Sequence, residues 1–284
     1  MNTLKTGFLL ALLTVLLVFL GQLIGGANGA MTAFVFALVI NLLSYWFSDK
    51  FVLAMYRAQP LSESEAPQVY RAVRAIAAHD RLPMPRLYRL PTEAPNAFAT
   101  GRSPTHASVA VTDGLLRLMD EEELKGVLAH ELSHVKNRDT LVMSVAAAVA
   151  GAISMLAHWA QWGLRWGGRS DDRRHNNAAV QIAALLLIAI LAPLAAMLIQ
   201  LAISRTREYG ADETGARLTG NPGGLANALE KLDTAVRARP MLDANPATAH
   251  LFIVNPLRMD AIAKLFSTHP PIEERIRRLR SMRL

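Results

Sequence analysis

Four long apolar runs constrain this chain more than any other feature. The first covers residues 7–24 and the second residues 31–47, and neither carries a charge. Each is close to the roughly 17–25 residues with which a helix crosses the hydrocarbon core of a bilayer. The link between them, residues 25–30, leaves room for little except a tight hairpin. Tyr45 and Trp46 end the second run, where an interfacial aromatic belt would lie. Ala27-Asn28-Gly29 also reads as the processing site of a cleaved signal peptide. Against that, the first run is long for a signal and a second apolar run follows at once. The third run covers residues 141–160, and the fourth, interrupted by Pro193, residues 178–203. The polar loop between them holds Arg165, Arg169, Asp171, Asp172, Arg173 and Arg174, with Trp159, Trp162 and Trp166 at its start as interfacial anchors. The alanine content of these last two runs leaves a second reading open, a helical hairpin buried in a soluble domain.

Composition agrees with a lipid environment. Hydrophobic residues make up 52% of the chain and charged residues 19%, against about 25% charged in soluble domains. The net charge of +7 reads as cationic flanks of membrane helices facing anionic lipid. Nucleic-acid binding has no motif in its favour beyond that charge. There is no cysteine, so disulfides and thiolate metal sites are excluded and any metal must be held by nitrogen and oxygen.

Between the second and third runs, residues 49–140 are mixed in polarity and read as folded domain. Residues 66–78 have helical spacing of apolar positions. Pro83, Pro85 and Pro91 punctuate short extended pieces, including Arg86–Leu90. Ala107–Thr112 alternates as a strand, and Asp113-Gly114 should turn it. Asp120, with Glu123 three residues on, forms a capping-box signature that starts a helix over Glu121–Lys136. Residues 204–236 are largely helical, and looser chain follows. The basic stretch 270–284 carries Ile272, Ile276 and Leu279 on one helical face, suited to docking on the parent domain or to lying on a membrane.

The helix over Glu121–Lys136 contains His130-Glu131-Leu132-Ser133-His134. Residues i and i+4 share a helix face about 5–6 Å apart. Two imidazoles so placed can bind one zinc ion, and Glu131 beside them can take a proton from water activated there. Catalytic zinc needs a third protein ligand. Glu208, directly after the fourth run, is a candidate, and Asp212 one turn later could orient a ligating histidine. From spacing alone these acids could equally pair with Arg205 and Arg207 as a surface charge cluster.

The order of these motifs resembles the membrane gluzincins, the zinc proteases that include the bacterial heat-shock protease HtpX and the CAAX prenyl proteases. The likeness extends over Pro95-Asn96-Ala97-Phe98-Ala99-Thr100-Gly101, the zinc helix, the later Arg207-Glu208 with Asp212, and Thr268-His269-Pro270-Pro271 before the basic helix. It implies a mainly α, α+β integral membrane protein with about four hydrophobic helices and a zinc-protease domain with a small edge-stranded sheet. Residues 1–48 would form a transmembrane hairpin, 49–140 and 204–284 the two parts of the catalytic domain, and 141–203 a hydrophobic hairpin between them. One zinc ion per chain would be held by His130, His134 and Glu208, with Glu131 as general base. Asn96, Ala97, Phe98 and Ala99 would border the cleft as an edge strand for an extended substrate. His269 would donate to the oxyanion, unless it serves only as a helix-entry residue, and Arg275 would pair with Asp212. His79, His106, His158, His175 and His250 have no assigned role.

The implied activity is a membrane zinc endopeptidase of the stress response, acting on misfolded or damaged membrane proteins. A processing protease for prenylated or otherwise defined peptides is the alternative, and a catalytically silent membrane scaffold is a reading of another class. His130 and His134 precede the third run and Glu208 follows the fourth, so two crossings, or none, must separate them. Lys50 and Arg57 argue that this side is cytoplasmic, and the resemblance implies that the membrane is a bacterial inner membrane. The arginine-rich loop at 165–174 then faces outward, against the positive-inside trend.

Overall fold

The computed structural model describes residues 2–150, 205–238, 241, 244–245, 248–256 and 270–284. The rest of the third run, the arginine-rich loop, the fourth run and His269 lie outside the described residues.

Helix α1 (Asn2–Met55) contains the first two apolar runs and is broken at Gly25 and Gly26, where Gly26 takes φ 58° and ψ −147°. That region is open to glycine because it has no Cβ. The chain reverses there into two antiparallel arms, as the short link predicts. A polar rung joins them: Asn41 Nδ2 donates to Leu10 O at 3.2 Å and to Thr14 Oγ1 at 2.8 Å. The second arm, Gly25–Met55, is 31 residues long with mean hydropathy 1.8, enough to cross a membrane. Phe34, Phe36, Leu38, Leu42, Trp46 and Phe47 on it are exposed. The apolar helix in the first arm, Thr6–Phe19, is shorter.

A four-stranded sheet follows: β1 (Gln59–Pro60), β2 (Arg86–Leu90), β3 (Ala97–Gly101) and β4 (Ala107–Thr112), in the order β1-β2-β4-β3. Strands β2 and β4 are parallel, while β3 runs antiparallel to β4 with Ala97 opposite Val111 and Gly101 opposite Ala107. β3 is therefore an edge. Strand periodicity divides the side chains between two cores. Ala97, Ala99, Val109 and Val111 face α2 (Pro67–His79) and the helices below. Phe98 and Ala110 face the end of α1, where Val52, Leu53 and Phe252 join them. Phe98, Tyr56 and Phe252 have ring centroids 5.1–6.0 Å apart. The buried Asp49 accepts from Arg86 Nη2 at 3.0 Å and adds an ionic tie between arm and sheet.

Asp113-Gly114 does not turn the chain back. Thr112 is extended and its hydroxyl accepts the Leu115 N–H, so it caps a short helix α3 (Asp113–Leu118). Asp113 then sits in the first turn, where a helix favours negative charge. Helix α4 (Glu121–Lys136) has the expected limits, and both hydrogen bonds of the Asp120–Glu123 capping box form. After it comes α5 (Asp139–Ala150), the described part of the third run, buried along its length. The later segments form α6 (Arg205–Thr219), α7 (Pro222–Ala238) and α8 (Ile272–Ser281). Leu279 of α8 is buried in the main core, with Ile272 and Ile276 packed against it. The basic helix thus docks on its own domain.

Candidate metal centre

Helix α4 buries Val127, Leu128, Leu132 and Val135 in the main core. The 3.6-residue period then turns His130 and His134 together toward α6. Gly215 allows α6 to come close: a Cβ there would meet His130 N at 2.9 Å. Glu208 and Asp212 lie seven and three residues before Gly215, on the same helix face. The bare α-carbon at 215 is therefore what seats both carboxylates against the histidines.

The result is a buried cluster of ionisable groups. His130, Glu131, His134, Glu208, Asp212 and Arg275 are each 4% exposed or less. His130 Nε2 and His134 Nε2 are 3.3 Å apart. Glu208 Oε1 is 3.4 Å from His134 Nε2, and Oε2 is 3.9 Å from His130 Nε2. Donors about 2.0–2.1 Å from a tetrahedral zinc stand roughly 3.3 Å apart. With one ligand atom from each residue the set here lies within 4.8 Å, so a small inward movement of Glu208 would close it on one ion. Among the described residues, His130, His134 and Glu208 are the group that could hold a metal.

The outer nitrogens explain the ring orientations. His130 Nδ1 is 2.9 Å from Asp212 Oδ1 and His134 Nδ1 is 3.2 Å from Asp139 Oδ2. Each Nδ1–H donates to its carboxylate, which leaves the Nε2 atoms of both rings facing one point, the tautomer a metal requires. Asp139 was not apparent from the sequence. Its position depends on Arg138, whose φ of 58° ends α4 and turns the chain so that residue 139 folds back on His134.

Arg275 closes the other side. Nε and Nη2 donate to the two oxygens of Asp212 at 2.8 and 2.7 Å, and Nη1 donates to Ile253 O at 2.9 Å. Arg275 Nη1 is also 3.7 Å from Glu208 Oε2. Burial would raise the Asp212 carboxyl, but Arg275 and His130 outweigh it and hold it at about 2. Burial lowers the His130 imidazole, with Asp212 opposing. His134 is also pushed down by burial, yet Asp139, Glu208 and Glu131 together lift it to about 9. The carboxylates that face His134 favour positive charge at its ring, and a divalent cation meets the same demand.

Glu131 is in a different situation. Burial raises it to about 7, and the Glu208 carboxylate adds to the rise while His134 and the Ala99 N–H oppose it. A carboxyl near 7 can both accept and release a proton near neutrality. The Ala99 amide belongs to β3, so the Glu131 carboxyl sits against the edge strand. The outward groups of that edge have other partners too. Ile253 N donates to Ala97 O at 3.1 Å, and Gly101 N donates to Ser144 Oγ of α5 at 3.2 Å. Asn96, just before the strand, is buried and donates to Val254 O at 2.8 Å. Phe98 points away from the metal centre, into the second core.

The structure therefore brings together His130, Glu131, His134, Glu208, Asp212 and Arg275, with Ala99 alongside. His269 falls outside the described residues. Among the histidines left unassigned, His250 is buried, with Nε2 3.1 Å from Met143 O, away from this cluster.

Comparison with known proteins agrees with the geometry. The chain matches Peptidase family M48 over residues 63–283. It is 61% identical over 278 residues to a "Protease HtpX homolog" of Syntrophobacter fumaroxidans, covering 98% of each chain. It is 56% identical to a protein of the same description from Pyrococcus furiosus, covering 98% of this chain and 95% of that one. The crystal structure of S. mikatae Ste24p shares its fold at a TM-score of 0.51 and 17% identity, with 98% of this chain matched to 64% of that chain. A buried two-histidine, one-glutamate centre on this fold, in a chain matched along most of its length, places the protein in peptidase family M48 as a membrane zinc metallopeptidase.

Proposed function

We propose that this protein is an endopeptidase that cuts extended segments of misfolded or damaged membrane proteins at the cytoplasmic face of a bacterial inner membrane. The observation that carries the proposal is the convergence of His130, His134 and Glu208 with a proton-exchanging Glu131 set against β3. The description of the relatives as HtpX homologs supports the quality-control role. About four membrane helices, two in the α1 hairpin and two within 141–203, complete this reading.

Bound zinc supplies Lewis acidity that makes water nucleophilic near neutral pH and polarises a peptide carbonyl. His130, His134 and Glu208 would hold it. Glu131 takes the proton of the attacking water on its carboxylate and passes it to the leaving amine. Asp212 and Arg275 fix His130 throughout. Substrate backbone pairs along Asn96, Ala97, Phe98 and Ala99 by strand addition, and His269 steadies the developing oxyanion. Pairing at Ala97 O displaces Ile253 N, so the segment around Ile253 shifts when substrate binds.

Glu131→Gln tests the assignment. Full zinc content with cleavage of a membrane-anchored substrate reduced by about 100- to 10,000-fold is expected. Cleavage at the wild-type rate would overturn the role of Glu131. A cleavage-site profile of the purified protein separates general proteolysis from processing of one peptide class.

A further inference from the structure

The two metal-facing histidines are backed alike. His130 Nδ1 meets Asp212, and Asp212 meets Arg275. His134 Nδ1 meets Asp139, and behind Asp139 stands Arg207, with Nη1 3.6 Å from Asp139 Oδ1. Arg207 Nη1 and Nη2 are buried without a hydrogen-bond partner among the described residues. A buried guanidinium in that state depends on a neighbouring carboxylate to offset its desolvation.

The location matters as much as the contact. Asp139 opens α5, where the chain enters the third apolar run. Arg207 lies in the first turn of α6, where the chain has left the fourth, and its neighbour is Glu208. The pair joins the two ends of the long hydrophobic connection at the point where its flanks carry His134 and Glu208.

We propose that Asp139 is a positioning residue for His134, and that Arg207 sets Asp139 and thereby fixes the Glu208 segment against the histidine helix. The inference rests on the zinc-peptidase reading, and concerns how the metal centre is held across the break between its two segments.

The test uses the full chain in detergent, with zinc affinity measured by competition with a chromophoric chelator and the visible spectrum recorded after cobalt substitution. Loss of an outer-sphere carboxylate typically weakens metal binding by 10- to 100-fold, so a fall on that order is expected for Asp139→Ala. Asp139→Asn keeps an oxygen acceptor and should lose less, with a shifted cobalt spectrum and unchanged far-ultraviolet circular dichroism. Arg207→Met should weaken zinc binding in the wild-type background and have no further effect in Asp139→Ala, because linked residues act non-additively. Wild-type affinity and spectrum in both Asp139 variants would overturn the role of Asp139. Additive losses would overturn the route through Arg207. A wild-type protein that binds no stoichiometric zinc would overturn the peptidase reading itself, a result the variants do not mimic.

Discussion

The second arm of α1 and the metal centre break the usual distribution of residues in opposite directions. On the arm, Phe34, Phe36, Leu38, Leu42 and Trp46 are between 42% and 62% exposed. In the centre, two histidines, three carboxylates and an arginine are 4% exposed or less. Exposed apolar surface on this scale marks contact with lipid or a partner, and buried charge persists only where it is paired or bound to metal. The arm is suited to its surroundings through simple chemistry repeated over a long surface. The centre depends on a few specific pairings, each of which fails alone. The two regions should therefore respond to substitution in different ways.

The sharpest separation should come from chelation. Removing zinc should abolish peptidase activity and lower the unfolding temperature of the domain, while leaving partition into the membrane fraction unchanged. Next in size is Arg275→Met. It strands Asp212 as a buried charge, and breaking such a pair costs about 3–5 kcal/mol, readable by chemical denaturation. An equal stability of that variant and the wild type would remove the case that the centre is held by pairing. On the arm, Leu38→Asp should cost roughly 2.5–3.5 kcal/mol in membrane insertion, scored by fractionation, with zinc affinity of the inserted protein unaltered. The smallest effect is expected for Leu42→Ala, within about 0.5 kcal/mol for unfolding of the catalytic domain.

Proton concentration separates the regions once more. In metal-free protein Glu131 is raised to about 7 and His134 to about 9. Groups whose proton affinity rises on folding stabilise the fold below their unfolded values and lose that contribution as pH climbs through the folded ones. His130, lowered by burial, opposes Glu131 below the ordinary histidine value of 6.5, so apo-protein stability should decline between about pH 6.5 and 9, where His134 titrates. Asp212, held at about 2 against an ordinary 3.8, works in the other direction and loses its contribution as pH falls below about 4. Zinc should flatten the alkaline decline, since the ion takes the place of the proton at His134. Thermal melts with and without zinc across this range would show it.

The elements legible in the sequence are those with local causes. Helix α4 has both its limits written in Asp120, Glu123 and the apolar positions that follow, and Arg86–Leu90 and Ala107–Thr112 are bounded by prolines or turn residues. The α1 hairpin follows from two uncharged runs and a short glycine-rich link. Glu208 was half legible: its residue type and its place after the fourth run are visible, but the face it presents depends on Gly215 meeting α4. Asp139 was not legible, because a left-handed Arg138 is needed to bring it back to His134. β1 is two residues long and contains a proline, and its pairing with β2 exists only in three dimensions. The Asp113-Gly114 dipeptide misled for a related reason, since Thr112 before it supplied a cap that made a helix start.

Arg275 contacts His130 across a separation of 145 residues, which gives the centre an order in time as well as in space. A chain emerging from the ribosome presents the zinc helix early. Until residue 275 has been made, Asp212 lacks its countercharge and His130 its fixed ring. The protein's cutting power therefore waits on residue 275, after the zinc helix and the α1 arms have been laid down.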